Sequence, residues 1–175
     1  MNNADKRAAD PLTTASKTVA WVIALNKPIY PVYVWYLAEG ALKASLLTLV
    51  STPLFAGIIY LAGKNAHAAR IGLVLIGICD TTFISLVLGR ASGAWTFLLP
   101  CLTLAGVCFY KSEPWTSRLL VGLSFLASLL AVSLYPGLDL HLPEGEAESL
   151  FVLNAMGAVS LAAFISLRFP RMERS

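Results

Sequence analysis

Five apolar stretches, each long enough to cross a lipid bilayer, constrain what this chain can fold into more than any other feature. They cover residues 41–63, 69–89, 93–110, 116–135 and 147–167. About 20 residues of α-helix, at about 1.5 Å per residue, cross the roughly 30 Å of hydrocarbon in a bilayer. None of the five alternates in hydrophobicity as a strand does, and hydrocarbon offers no partner for backbone amides. Each stretch therefore predicts a membrane-spanning helix.

The composition is that of a membrane protein. Only 13% of the 175 residues are charged, against roughly 25% in an ordinary soluble domain. A soluble fold of this length needs a polar surface that these residues do not supply. We expect an integral membrane protein with no separate soluble domain. Its parts are a polar cytoplasmic tail at residues 1–17, a single transmembrane helix bundle at 18–168 and a basic cytoplasmic tail at 169–175.

Residues 18–38 form a further apolar segment that has two possible interpretations. Asn26, Lys27, Pro28 and Pro31 lie near its middle, where prolines and a charge disfavour a continuous membrane helix. The segment is either a broken transmembrane helix or a helix in the interface plane, with its aromatic rings at headgroup level. Those rings belong to Trp21, Tyr30, Tyr33, Trp35 and Tyr36.

The distribution of Lys and Arg favours the spanning interpretation. Positive residues near span ends accumulate on the cytoplasmic side of a membrane. Six spans with both termini inside place ten of the thirteen Lys and Arg on the inner side, with Lys43 and Arg90 outside and Lys27 in the membrane. Five spans divide them seven to six. We therefore predict an all-α, polytopic bundle in the cell inner membrane, with six transmembrane helices, five of them clear and the first ambiguous, and with both termini cytoplasmic.

Asp80 is the residue most in need of an explanation, because it lies near the middle of the stretch 69–89. A carboxylate at that depth costs roughly 2.5–3.5 kcal/mol on insertion scales, and such groups normally have a partner. If residues 18–38 span the membrane, Lys27 lies at a similar depth and is the natural counter-charge. Asn26, Thr81 and Thr82 are then its hydrogen-bonding neighbours.

This intramembrane polar cluster has a structural and a functional interpretation. In the structural one, Asp80 is protonated, or Asp80, Thr81 and Thr82 bond to backbone carbonyls and tie helices together. In the functional one, protonation or ligand occupancy at the cluster shifts helix packing. We favour the structural interpretation, since an ion path usually contains several such groups. Asn154, beside small residues of the last stretch, is expected to hydrogen-bond across a helix contact.

Several kinds of site are not expected. Cys79, Cys101 and Cys108 all lie in apolar stretches without disulfide or metal-binding spacing. His67 and His141 are expected to be surface residues, because a metal needs several ligands at set spacing. The chain contains no hydrolase or nucleotide-binding motif, so we predict no catalytic residue, metal or cofactor. Its basic residues form no dense patch, which excludes nucleic acid as a partner.

Residues 92–115, SGAWTFLLPCLTLAGVCFYKSEPW, resemble the middle of a known class of membrane module. The matching features are the entry at Ser92 and Gly93, the aromatic and aliphatic run, and the exit at 110–113 onto a short charged link. These features are similar to those of six-helix input modules that precede nucleotide cyclases and kinases in bacterial signalling proteins. The resemblance extends over most of the chain after Asn26 and implies a sensor.

The sequence departs from that class because it ends at Ser175 without a cyclase, kinase or coiled-coil output. The enzymatic work of such proteins belongs to the output domain, so the resemblance transfers no catalytic residue. We expect a non-enzymatic multi-pass protein that senses or binds a partner through helix packing. The expected partners are the lipid bilayer and either a separate signalling protein or a second copy of the chain. The alternative is a small transporter or channel that uses the polar groups at the midplane.

Overall fold

A computed structural model of the chain describes residues 10–133 and 143–169. The structure does not describe residues 1–9 of the predicted tail 1–17, residues 170–175 of the tail 169–175, or residues 134–142, which include His141.

The described residues form helices and turns and contain no strand. The α-helices are α1 (Pro11–Asn26), α2 (Tyr30–Leu37), α3 (Leu42–Leu46), α4 (Thr52–Leu61), α5 (Ala66–Leu88), α6 (Leu98–Val107), α7 (Pro114–Ser133) and α8 (Glu144–Arg168). Short 3₁₀ stretches connect or extend them at Glu39–Ala41, Leu47–Ser51, Arg90–Ser92 and Ala94–Phe97. The prediction of an all-α fold is confirmed.

Four helices are long and apolar enough to cross a membrane, judged by length and composition. They are Glu39–Leu61, Ala66–Leu88, Pro114–Ser133 and Glu144–Arg168. The first of these is composite, since α3 and α4 are joined through the 3₁₀ stretch Leu47–Ser51. These four helices fit a membrane helix bundle, and the count of six spans stays a prediction.

The stretch 93–110 is shorter as a helix than its composition suggests. Its apolar helix covers only Ala94–Val107, which at about 1.5 Å per residue extends over roughly 20 Å. Gly93 precedes it in the left-handed conformation, with φ of 71°. The regular helix ends at Val107, before Cys108. The helix by itself is therefore shorter than the roughly 30 Å thickness of the hydrocarbon.

The first segment is broken, and its two halves differ in environment. Asp10 caps α1, because its side chain accepts a hydrogen bond from the amide of Leu12 at 3.1 Å. Residues 11–17, predicted as part of a polar tail, are thus helical. Leu12 and Val19 on α1 are completely buried, so α1 packs into the bundle. Beyond the break at 27–29, α2 exposes three of the aromatic side chains predicted for an interface: Tyr33, Trp35 and Tyr36.

The helices α1, α5 and α7 begin at the same end of the bundle. Arg70, in the second turn of α5, contacts Asp10 before α1 and Glu113 before α7. We call this the Arg70 end. The hydroxyl of Ser117 donates to the carbonyl of Ala105 at 2.9 Å, which places the end of α6 against the start of α7. Consecutive long helices therefore run antiparallel, as their short links predict.

Candidate functional site

The break after α1 places a lysine beside the acid of α5. The Nζ atom of Lys27 lies 2.7 Å from Oδ2 of Asp80, and the two side chains are only 10% and 13% exposed. Both groups lie in an otherwise apolar part of the bundle, beside the ring of Phe55, whose centroid is 5.5 Å from the Lys27 ammonium. An opposite charge at this distance offsets part of the cost of removing each group from water.

Each member of the ion pair has a second partner. The hydroxyl of Ser51 donates to Oδ1 of Asp80 at 2.5 Å. The ammonium of Lys27 donates to the carbonyl oxygen of Thr48 at 2.9 Å. The pair is therefore held from both sides by one short stretch of chain that precedes α4. The sequence interpretation of this cluster did not include Ser51 or Thr48.

The 3₁₀ conformation of Leu47–Ser51 explains how one stretch serves both charges. Pro53 lies in the first turn of α4 and has no amide hydrogen, so an α-helix cannot continue through this point with all its bonds. In a 3₁₀ helix, side chains three residues apart are nearly in line. Thr48 and Ser51 are three residues apart in this stretch and are therefore both turned toward the ion pair. The hydroxyl of Thr48 donates to the carbonyl of Ser45, and the single proton of the Ser51 hydroxyl is given to Asp80.

A cavity of about 400 Å³ adjoins the ion pair. Lys27 and Asp80 contribute to its wall, together with Tyr30, Asn154 and Asn26. The rest of the lining is mainly apolar and includes Phe55, Phe97, Phe164, Ile84 and Leu161. Gly157 lets the ring of Phe97 pack closely against α8 at the cavity wall, since a methyl group added there would lie 2.9 Å from that ring.

The other residues of the predicted cluster occupy different positions around this site. Asn26 is exposed on the cavity wall and makes no hydrogen bond to Asp80. Thr81 is buried and also lines the cavity. The hydroxyl of Thr82 is buried without a hydrogen-bond partner among residues 10–133 and 143–169. Asn154 donates from Nδ2 to the carbonyl of Ser92 at 2.8 Å and so ties α8 to the turn that precedes α6.

A second buried charge cluster lies at the Arg70 end. Arg70 is 3% exposed, and its Nη1 atom lies 2.7 Å from Oδ2 of Asp10. Its Nη2 atom lies 2.8 Å and 3.0 Å from the two carboxylate oxygens of Glu113. His67 contacts the same carboxylate, with 2.8 Å between Nδ1 and Oε1. The ring of Tyr110 lies 4.9 Å from the guanidinium carbon, and its hydroxyl donates to Asp10.

Sequence reasoning missed this second cluster, although one signal for it was present. Arg70 lies inside the predicted span 69–89, just as Asp80 does, and a charge inside a span normally has a partner. Its partners Asp10 and Glu113 are distant in sequence and precede two other helices. His67, expected at the surface, is half exposed and takes part in the cluster through Glu113.

The surroundings of Asp10 favour its ionised form. Burial raises the pKa of this carboxyl, but hydrogen bonds from Thr13 and Tyr110, the charge of Arg70 and the amide of Leu12 lower it by more. The pKa of Asp10 therefore lies below its ordinary value of 3.8. At neutral pH the carboxylate is available as a counter-charge to Arg70.

Metal coordination receives no support from the part of the chain that the structure describes, where no three His, Cys, Asp or Glu side chains are placed to hold an ion. The ion pair and the cavity together form a place where a proton or a small ligand can bind reversibly. A proton or a small ligand that changes the balance between Lys27 and Asp80 acts on α1, α4 and α5 together. Comparison of the chain with protein-family models, with curated proteins and with solved structures finds no match. The chemistry of the site therefore has to be inferred from its own residues.

Proposed function

We propose that this chain is a non-enzymatic multi-pass membrane protein that senses through the Lys27–Asp80 pair. Protonation or ligand occupancy at the pair changes how the first segment packs on α4 and α5. A separate signalling protein, or a second copy of the chain, reads that change. The observation that carries the proposal is the 2.7 Å ion pair between the break in the first segment and α5. The resemblance to six-helix bacterial input modules supports the same function.

The energy of the pair is large enough for a switch. Removing one partner of a buried ion pair leaves an uncompensated charge and costs about 3–5 kcal/mol. A tenfold change in a two-state equilibrium requires only about 1.4 kcal/mol. If only one of two packings of the first segment keeps this pair, neutralising Asp80 changes their population ratio by more than a hundredfold. Ser51, just before α4, also bonds to Asp80, so neutralising the acid acts on α4 as well.

The proposal includes six spans in the cell inner membrane, with both termini in the cytoplasm. The links that contain Lys64 and Lys111 lie at the Arg70 end, and Arg90 lies at the opposite end. Exposed aromatic residues occur toward both ends, as expected for side chains at the two membrane interfaces. They are Tyr60 and Trp115 toward the Arg70 end, and Tyr33, Trp35 and Tyr36 toward the other.

A distance measurement tests the switch. Spin labels attached at Tyr33→Cys on α2 and Phe125→Cys on α7, both exposed positions, report how α2 sits against the bundle. The protein is placed in lipid nanodiscs after its native cysteines are replaced. We expect Asp80→Asn, which mimics a protonated acid, to shift the distance distribution. Thr82→Val on the same helix is the matched control and leaves it unchanged. Identical distributions for wild type and Asp80→Asn would refute the switch.

A transporter is the second candidate, and one observation favours it. The first of the six apolar segments is broken at 27–29, and the fourth is unusually short, with a helix that covers only Ala94–Val107. Interrupted or unusually short segments at corresponding positions of two halves often mark a transport site. Proton flux into liposomes, lost in Asp80→Asn and retained in Thr82→Val, would favour transport. Absence of flux together with a distance shift favours the sensor.

A further inference from the structure

The cavity beside the ion pair has an aromatic wall of a size suited to a small organic molecule. Its volume of about 400 Å³ lies within the range of roughly 300–1,000 Å³ that is usual for ligand pockets. Phe55, Phe97 and Phe164 enclose it from three different helical segments, and Leu161 and Ile84 add aliphatic surface. A ligand that fills this space has a mainly apolar body.

One polar group on the cavity wall lacks a partner. The hydroxyl of Tyr30 is buried and makes no hydrogen bond within the described ranges 10–133 and 143–169. An unsatisfied buried hydroxyl is destabilising. Asn154 lies beside it and lines the same cavity. The Nδ2 group of Asn154 is already used by Ser92, so its amide oxygen is left to accept a hydrogen bond.

The charged groups, by contrast, already have partners. Lys27 and Asp80 neutralise each other, and Thr48 and Ser51 take up further hydrogen-bonding capacity. A charged ligand must break this pair or add an unpaired charge to an apolar site, which is strongly unfavourable. A neutral hydroxyl has no such cost. It accepts from the hydroxyl of Tyr30 and donates to the amide oxygen of Asn154.

We propose that this cavity binds a neutral alcohol or phenol with an aromatic or branched apolar body, its hydroxyl bridging Tyr30 and Asn154. The inference rests on the proposed sensing function and names the class of ligand. Occupancy would reach the switch through Tyr30, which begins α2 just beyond the break that holds Lys27.

Three probes with one aromatic body test the chemistry of the head group: 1-naphthol, naphthalene and 1-naphthoate. Binding to the protein in nanodiscs is measured by equilibrium dialysis against protein-free nanodiscs, which corrects for partitioning into lipid. We expect saturable binding of 1-naphthol, about tenfold tighter than that of naphthalene and tighter still than that of the anion. Equal affinities for 1-naphthol and naphthalene, a preference for 1-naphthoate, or no saturable binding of 1-naphthol overturns the proposal.

Variants locate the binding site. Tyr30→Phe is expected to weaken 1-naphthol binding about tenfold and to leave naphthalene unaffected. Tyr33→Phe makes the same change at an exposed position of α2 and leaves both unaffected. Gly157→Leu displaces the ring of Phe97 from the cavity wall and is expected to abolish binding of both. Unchanged 1-naphthol affinity in a folded Tyr30→Phe variant overturns the site. If that variant does not fold, the comparison of the three probes on the wild-type protein still decides.

The two proposals fail in different ways. Tyr30-dependent binding of 1-naphthol that leaves the distance between labels at positions 33 and 125 unchanged supports the ligand class and refutes the sensor. A distance shift in Asp80→Asn without any binding of 1-naphthol supports the sensor and refutes the ligand class.

Discussion

Arg70 and Asp80 lie on the same helix, α5, and each is paired with an opposite charge on the first segment. Arg70 pairs with Asp10, which caps the start of α1, and Asp80 pairs with Lys27, which follows its end. The signs are opposite at the two positions, so sliding α1 along α5 separates both pairs at once. The two pairs therefore define the register of these helices. If the Lys27–Asp80 pair opens alone, the Arg70–Asp10 pair still holds the start of α1 against α5, and α1 can turn about that contact.

The Lys27–Asp80 pair is expected to behave as a coupled unit. Lys27→Met and Asp80→Asn should each lower the free energy of unfolding by about 3 kcal/mol, because each leaves one buried charge uncompensated. The double variant should recover most of that loss, since neither charge remains. Unfolding in SDS mixed micelles measures the three values. Losses that simply add would show that the two side chains do not interact.

Arg70 is expected to be harder to replace than Lys27, the basic residue of the other buried ion pair. Arg70→Met leaves two carboxylates near each other without their shared cation, so we expect a loss of at least about 3 kcal/mol. Arg70→Lys should recover only part, because an ammonium lacks the fork that serves both Asp10 and Glu113. Arg90→Met, an exposed arginine just after α5, is the control and should change stability by less than about 0.5 kcal/mol. Full recovery by lysine would argue against the forked geometry.

Asp10 makes the stability of the Arg70 end depend on acid pH. Because the pKa of Asp10 is lower in the folded chain than its ordinary 3.8, its contribution is fully present above that pH. The contribution is lost as the pH falls through the folded value. Asp10→Asn should thus be less stable than wild type at neutral pH, and the difference should shrink below pH 3.8. Thermal unfolding of both proteins across this range gives the comparison, and a difference independent of pH would contradict it.

Gly93 is expected to tolerate no side chain. Its φ of 71° is left-handed, and an added Cβ would lie 2.7 Å from the ring of Phe151 on α8. Gly93→Ala should therefore lower Tm by several degrees, through backbone strain of about 1 kcal/mol and displacement of Phe151. Gly122→Ala on α7 has open space around it and should leave Tm unchanged or raise it. Equal Tm values for Gly93→Ala and wild type would mean that this turn adapts.

Labelling of single cysteines in intact cells tests the six-span arrangement. In a background without native cysteines, reporters at Lys64 and Lys111 should react only after the inner face is exposed. Reporters at Arg90 and Glu144 should react from outside, because they lie at the opposite end of the bundle. Reaction of all four from one side would exclude this topology.

Much of the helical fold follows from local physical limits. Hydrocarbon forces long apolar stretches into helices, so the stretches at 69–89, 116–135 and 147–167 predict helices close to those observed. The stretch 93–110 was less predictable. Its composition is apolar throughout, and only the turn at Gly93 and the early helix end at Val107 make it short.

The candidate site, too, could be predicted from the sequence only in part. An acid in the middle of an apolar stretch is visible in the sequence, and depth alone suggests Lys27 as its counter-charge. Depth does not reveal Ser51 and Thr48, because their approach depends on the 3₁₀ stretch before Pro53 and on the packing of α4 against α5. Nor does it reveal Tyr30 and Asn154 on the wall of one cavity.

By itself, then, the sequence determined that this chain is a helical membrane protein with a buried acid, because span length and backbone hydrogen bonding are local requirements. Only the tertiary structure decided that Arg70 joins Asp10 to Glu113, that Ser51 completes the site at Asp80, and that a cavity lies beside it. Those features depend on contacts between residues distant in sequence, which packing of whole helices selects and composition does not.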